Sequence, residues 1–479
     1  MTNKNLNLLA FDLGASNGRA ILGKFDGSKL SLDVLHKFEN DGITVNGNDY
    51  WDILGLFKEI KTGIRKAVSE TDNDITSIGI DTWGVDYGLL DKNDNLLSNL
   101  YHYRDNRTDG LMEEIFEKLP KNEIYNQTGI QFIWFNTLYQ LYSDLKDRPW
   151  ILDNAQSLLF TPDLLNFFLT GAKYNELTIA STSQMFNPET KAWADPVFDQ
   201  LGLPEHLMQE VISPGNTVGT LTDMVKNECK VEGEIPVIAV GSHDTQSAIA
   251  ATPLEDRDKS VYISSGTWSL LGMELDAPFI NEKSLQKNYT NECGVEDKIC
   301  FLKNLCGLWL IQECKRSWAK QGLNLSYDDI DKAALDVNEN KFTLDPNDVR
   351  FKNPSDMPQE IKKYCRETNQ PQPENYGETA RGIYESLGLS YKAAVETLED
   401  LLDKNIETIN MVGGGIKSEI SCKFTADITG RKVIAGPAEA TAMGNILMQL
   451  MASGEISNLK EGRAIVRNSI DLKKYQPDQ

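Results

Sequence analysis

Apolar and polar positions along this chain switch between a period of two and a period of three to four, and the switch comes twice. Leu8, Leu9, Ala10 and Phe11 form an apolar run that ends at Asp12. A small polar turn of Gly14, Ala15, Ser16, Asn17 and Gly18 follows, and Arg19, Ala20, Ile21 and Leu22 return. This pattern predicts strand, tight turn and strand over residues 8–22. Residues 30–38 alternate as a third strand, and residues 51–69 change to helical spacing. Ile53, Leu54, Leu56, Phe57, Ile60, Ile64 and Val68 make the apolar side of that helix. A short apolar strand over 75–81 then runs into Thr82, Trp83, Gly84, Val85, Asp86 and Tyr87.

The second half repeats the opening. Val261, Tyr262 and Ile263 lead through Ser264, Ser265, Gly266 and Thr267 to a returning apolar run that begins at Trp268. Just before it, a buried strand over 235–240 meets Gly241, Ser242, His243, Asp244 and Thr245, with a helix starting near Asp244. Residues 301–318 read as helical after a strand ending near Asn304, and residues 338–372 as long surface excursions. Residues 377–402 form a long amphipathic helix. Residues 408–412 are a strand entering Gly413, Gly414 and Gly415, with a helix from about Ser418; residues 434–437 lead to another helix over 439–451. Residues 101–110 and 129–141 read as inserted elements that either line a pocket or serve as surface loop and core helix.

The ββ(β)αβ order, given twice, predicts an α/β fold of two ribonuclease H-like domains with an interdomain cleft. The junction falls near 248–260, giving an N-terminal domain over 1–250 and a C-terminal domain over 251–479. A chain of 479 residues also exceeds one typical core.

Composition narrows the partners. With 40% hydrophobic and 25% charged residues the chain is of the globular class. The formal net charge of -23 argues against nucleic acid or an anionic membrane as partner. It does not exclude ATP, because screening confines the global field to about 8 Å at physiological salt. No apolar run is long enough to span a bilayer, and the start MTNKNLNLLA does not read as a signal peptide, so the cytoplasm is expected. Seven cysteines without a CxxC pair suit reduced thiols rather than zinc. Only four histidines are present, which weakens a His-rich metal site or a Ser-His-Asp triad.

Four places carry candidate chemistry. Asp12, at a strand end, is a hard oxygen ligand suited to magnesium or to a water on it. The turn over 14–18 can converge backbone N–H groups on an anion, and Arg19 adds a planar donor for a phosphate oxygen. Asp244 is either a general base on a hydroxyl or the N-cap of its helix. Gly413, Gly414 and Gly415 either make a tight turn that needs positive φ or let a flat ligand approach the backbone. Asn304 and Gln312 could face one side of a helix.

The segments AFDLGASNGRA, GIDTWGVDYGLLD, YRDNRT, GIQFIWFNTLYQL, SHDTQSA, SSGTWSLLG, LKNLCGLWLIQ, PNDVRF, VGGG and IAGPAEATAMGN occur in this order from end to end. Together they resemble the FGGY carbohydrate kinases. The resemblance implies two domains closing on MgATP and a ketose, with L-rhamnulose foremost and L-fuculose or a xylulose as alternatives. It implies Asp244 as general base, flanked by substrate-binding His243 and Thr245, with Gly84 and Asn304 also on the sugar side. Ala15, Ser16, Asn17, Gly18 and Arg19 would hold phosphate, with Asp12 near magnesium and Thr267, Gln312 and Gly414 on the nucleotide. The chain would act as a monomer or small homo-oligomer. Trp134 stands where the family leads one to expect proline, and residues 416–419 lack an expected asparagine. A reading from another class is a nucleotide-switched binding ATPase, which would show slow hydrolysis independent of sugar.

Overall fold

The computed structural model describes residues 5–478, so the first four residues of the N-terminal stretch lie outside the described residues. Contacts divide the chain into two units. The first comprises Met1–Ala251, Glu274–Phe301 and Thr441–Ser469, and the second Thr252–Met273, Leu302–Ala440 and Ile470–Gln479.

In the first unit the opening hairpin is β1 (Leu6–Leu13) and β2 (Asn17–Phe25), followed by β3 (Leu30–Glu39). Helix α1 (Ile53–Thr71) is started by Asp52, whose side chain accepts from the Gly55 N–H at 2.9 Å. It buries Ile53, Leu56, Ile60, Ile64 and Ala67, a stripe at helical spacing. Each large apolar side chain so buried contributes about 1.5–3 kcal/mol. Leu54, expected on that face, points to solvent with 61% exposure, because it sits one position off the stripe. Then come β4 (Ser77–Thr82), the five-residue helix α2 (Leu177–Ser181), β5 (Thr217–Thr220), β6 (Pro236–Ile238) and helix α3 (Asp244–Ala250). The sheet order is β5-β6-β4-β1-β2-β3. β1 is antiparallel to β2 and parallel to β4, and β4 is parallel to β6.

The second unit repeats this connectivity. β7 (Ser260–Ser265) and β8 (Trp268–Leu275) form its hairpin, and β9 (Ile299–Cys306) lies beyond β8. Helix α4 (Trp309–Lys320) and the 27-residue helix α5 (Tyr376–Leu402) follow. β10 (Thr408–Val412) is parallel to β7, and after helix α6 (Glu419–Thr429) β11 (Lys432–Ala435) is parallel to β10. β12 (Lys473–Tyr475) closes the far edge antiparallel to β11.

Two details depart from expectation. Residues 301–306 are strand rather than helix, so Asn304 and Gln312 do not share a helix face. The stretch 338–372 is not all excursion, because Met357–Glu367 is a helix capped by Asp356, which accepts from the Gln359 N–H.

Helix α7 (Ala440–Ala452), all but its first residue in the first unit, packs against β4 and α3. A Cβ at Gly444 would fall 1.7 Å from the Ser247 carbonyl oxygen, so no other residue fits there. Gln449 on this helix accepts from Ser77 Oγ at 2.7 Å and donates to the Leu9 carbonyl at 3.2 Å. No helix among the described residues is long and apolar enough to cross a membrane.

Candidate active site

Three neighbouring parallel strands of the first unit finish at one edge. Asp12 is the penultimate residue of β1 and the register partner of Asp81 on β4. β6 runs on to Ser242, whose carbonyl accepts from the Thr82 N–H at 2.9 Å, and His243 forms a parallel bridge with Thr82. Asp244 therefore emerges beside the other two carboxylates. The C-terminal edge of parallel strands is where open α/β sheets bind ligands.

Burial pushes the Asp81 carboxyl well above the usual carboxylate range, and the charges of Asp12 and Asp244 push it further. Asp244 is raised as well, first by withdrawal from water; His243 opposes the rise and Asp12 adds to it. Yet 31% of the Asp244 side chain stays exposed, which leaves it open to a reactant. Asp244 is the first residue of α3 and not its cap. His243 holds the cap position and makes no side-chain capping bond. The Thr245 hydroxyl donates to Asp244 Oδ1 at 3.2 Å.

Arg19, opposite Asp12 in the hairpin, is ion-paired with it. In the turn, Ser16 and Asn17 are exposed, and Asn40 ties the loop down by donating to the Gly14 carbonyl at 2.8 Å. Neither Gly14 nor Gly18 is in the left-handed region. Gly18 is required for another reason: a Cβ there would meet the Phe38 ring at 2.3 Å.

Could this edge hold magnesium? Asp81 Oδ2 accepts from Asn445 Nδ2 at 2.6 Å, while the buried Oδ1 has no hydrogen-bond partner. Two crowded carboxylates, one with an orphaned oxygen, are a donor set that a cation would relieve. Among the described residues no group of three or more His, Cys, Asp or Glu is placed to hold a metal. Magnesium commonly takes one or two carboxylates and fills its shell with water and phosphate, a demand that the Asp12 and Asp81 pair can meet.

The sugar-side loop is Thr82 to Tyr87. A Cβ at Gly84 would lie 3.4 Å from Thr182 Oγ1 and 3.5 Å from His243 Nε2, so the glycine leaves open volume beside the imidazole. Val85 sits at φ 70°, which costs a β-branched residue roughly 1–3 kcal/mol. The Thr137 hydroxyl holds its carbonyl at 2.7 Å. The next residue, Asp86, is buried and accepts from Trp51 Nε1 at 2.6 Å, Trp83 Nε1 at 2.8 Å and Gln140 Nε2 at 2.8 Å. Burial raises its carboxyl to about 6. The inserted stretches 101–110 and 129–141 converge here through the Tyr103 N–H and Gln140, and so brace the loop.

One residue of this region escaped sequence reasoning. Glu292, on the short strand Thr290–Cys293, places Oε2 3.1 Å from His243 Nδ1. Only the packing of that strand on α2, where the Cys293 N–H donates to Ser181 Oγ at 3.0 Å, brings it there.

In the second unit the hairpin turn of Gly266 and Thr267 is clamped by the start of α4. The Gly307 N–H donates to the Thr267 carbonyl at 3.1 Å and the Leu308 N–H to the Gly266 carbonyl at 2.9 Å. Thr267 Oγ1 donates to Gln312 Oε1 at 3.1 Å, so these two predicted residues meet. After β10, Gly413 has φ 87° and a Cβ on Gly415 would meet Ser265 Oγ at 2.1 Å, so the turn itself demands both. Gly414 has nothing within 4 Å of its would-be Cβ, which leaves its backbone open to a ligand. Asn304 is half-buried on β9.

Comparison with known proteins gives the family. The N-terminal domain of the FGGY family of carbohydrate kinases matches residues 7–251, and its C-terminal domain residues 261–453. A rhamnulokinase of Bacteroides thetaiotaomicron is 43% identical over 471 residues, covering 98% of this chain and 96% of that one. A rhamnulokinase of Bacillus subtilis is 39% identical over 471 residues, covering 98% and 95%. Among solved structures, gluconate kinase from Lactobacillus acidophilus superposes with a TM-score of 0.80 at 17% identity, covering 99% of this chain and 94% of that one. Plasmodium falciparum glycerol kinase with ADP gives 0.78 at 15% identity, covering 99% and 95%.

Proposed function

The chain belongs to the FGGY family of carbohydrate kinases, and we propose that it transfers the γ-phosphoryl group of ATP to O1 of L-rhamnulose. The products are L-rhamnulose 1-phosphate and ADP. The sugar assignment rests on full-length relatives named rhamnulokinase, the reaction class on the family.

The observation that carries the mechanism is the carboxylate edge of the first unit. Asp244, half-exposed and free of a capping duty, accepts the proton of the attacking hydroxyl. His243 and Thr245 flank it and orient the sugar, which lies against the open backbone of Gly84. Arg19 and the turn of Ala15, Ser16, Asn17 and Gly18 face the phosphates. Asp12 and Asp81 would hold magnesium, which when bound screens the charge of the triphosphate. In the second unit Thr267, Gln312 and the bare backbone of Gly414 serve the nucleotide, and Asn304 lies near the ligands. The reaction belongs in the cytoplasm, where ATP is supplied, and seven buried cysteines suit a reducing compartment.

A coupled ADP-release assay with L-rhamnulose, L-fuculose and xylulose tests this reading. Fast release with L-rhamnulose supports it. Equal, slow release with or without any sugar would point to a nucleotide-switched ATPase instead.

A further inference from the structure

The His243 ring stands between two carboxylates, within ion-pair reach of both and hydrogen-bonded to neither, and only one of them faces the reaction. Nδ1 lies 3.1 Å from Glu292 Oε2, and Nε2 lies 3.6 Å from Asp244 Oδ1 and beside the volume left by Gly84. Glu292 is buried, with 6% of its side chain exposed, and a buried carboxylate is costly unless paired. Gln246 Nε2 donates to Oε2 at 2.9 Å, and the His243 ring stands against the same oxygen. The acidic groups Glu292, Asp244 and Glu176 all act on that ring. Burial alone would drive the imidazole neutral, yet Glu292 in particular reverses this and leaves His243 raised. Carboxylate, imidazole and carboxylate thus stand in a row, with the inner acid on a strand that has no part in either phosphate hairpin.

We propose that Glu292 is a positioning residue for phosphoryl transfer, acting through His243: it fixes the imidazole with Nδ1 turned inward and Nε2 turned toward Asp244 and the sugar. The physical reason is that a buried carboxylate within ion-pair distance of one ring nitrogen favours a proton there and biases the rotamer and the protonation of the other nitrogen. His243 then offers the sugar a donor N–H in one orientation, and its charge favours the ionised form of Asp244. This inference rests on the sugar-kinase reading of the same edge.

The test is a double-mutant cycle of Glu292→Gln and His243→Asn, with kcat and KM measured for ketose and for ATP. Glu292→Gln should lower kcat/KM for the ketose by about 10–100-fold, the scale seen when the outer partner of a functional histidine is removed, and leave KM for ATP within about twofold. On the His243→Asn background it should add no further loss. Equal losses on both backgrounds overturn the proposal, and so does Gln246→Ala reproducing the Glu292→Gln defect, since Glu292 would then act as the mate of Gln246. Should Glu292→Gln fail to fold, Glu292→Asp, which retracts the charge, enters the same cycle with the same criteria. Ring-nitrogen NMR of the ligand-free protein separates this inference from the activity. With four histidines in the chain the His243 signals can be assigned by the His243→Asn spectrum. A protonated Nδ1 that changes state in Glu292→Gln supports the pair even if no ketose is phosphorylated, whereas an unchanged ring overturns it.

Discussion

The two units carry the same strand connectivity and end their strands in opposite chemistry. In the first, β1, β4 and the segment after β6 deliver Asp12, Asp81 and Asp244. In the second, the matching ends of β7, β10 and β11 deliver Ser264 and Ser265, three glycines, and Gly436. One copy of the scaffold concentrates negative charge, the other strips side chains away. Under the proposed function, one half of a duplicated fold would do proton and cation chemistry and the other would offer bare backbone to a ligand. The scaffold tolerates both because the parallel strand ends are loops, whose residues are not needed for the core.

The comparison can be broken most sharply at Asp244. Asp244→Asn should reduce turnover by roughly 10²–10⁴-fold while ATP affinity, measured calorimetrically, stays nearly unchanged. Full turnover in that variant would remove the base from the charged half. Asp12→Ser gives the first hairpin the residue of the second; the magnesium concentration needed for half-maximal rate should rise by about 10–100-fold.

The glycine half is probed by paired substitutions. Gly415→Ala forces a methyl onto Ser265, and overpacking of this kind costs about 1–3 kcal/mol, readable as a lower Tm. Gly414→Ala meets no atom and should keep the wild-type Tm while raising KM for ATP. If both alanines behave alike, the division between a structural and a ligand-facing glycine is wrong.

The smallest effect is in pH. Asp244 must be ionised to accept a proton, and withdrawal from water raises its carboxyl. Lowering the pH protonates it, so kcat/KM should fall along an acid limb whose midpoint lies above the ordinary aspartate value. A flat profile through the acid range would contradict the assignment.

Much of this was legible in the chain itself. Both hairpins, α1, the long helix α5 and the order of elements follow from periodicity and turn residues, because those signals are local. So did Asp12, Asp244 and the pairing of acid with glycine turn. What periodicity could not supply was the reason for each residue. Gly18 must leave room for the Phe38 ring, two of the three glycines after β10 answer to φ and to Ser265, and Asp86 braces its loop from within. Nor could it bring Glu292 to His243, or Asn445 to Asp81 across 364 positions. Local pattern was enough to say which elements form and which strand ends bear acid. Tertiary structure alone decided which of those acids are buried, paired or left with an oxygen unmet, since that depends on contacts between segments whose spacing in the chain carries no periodic signal.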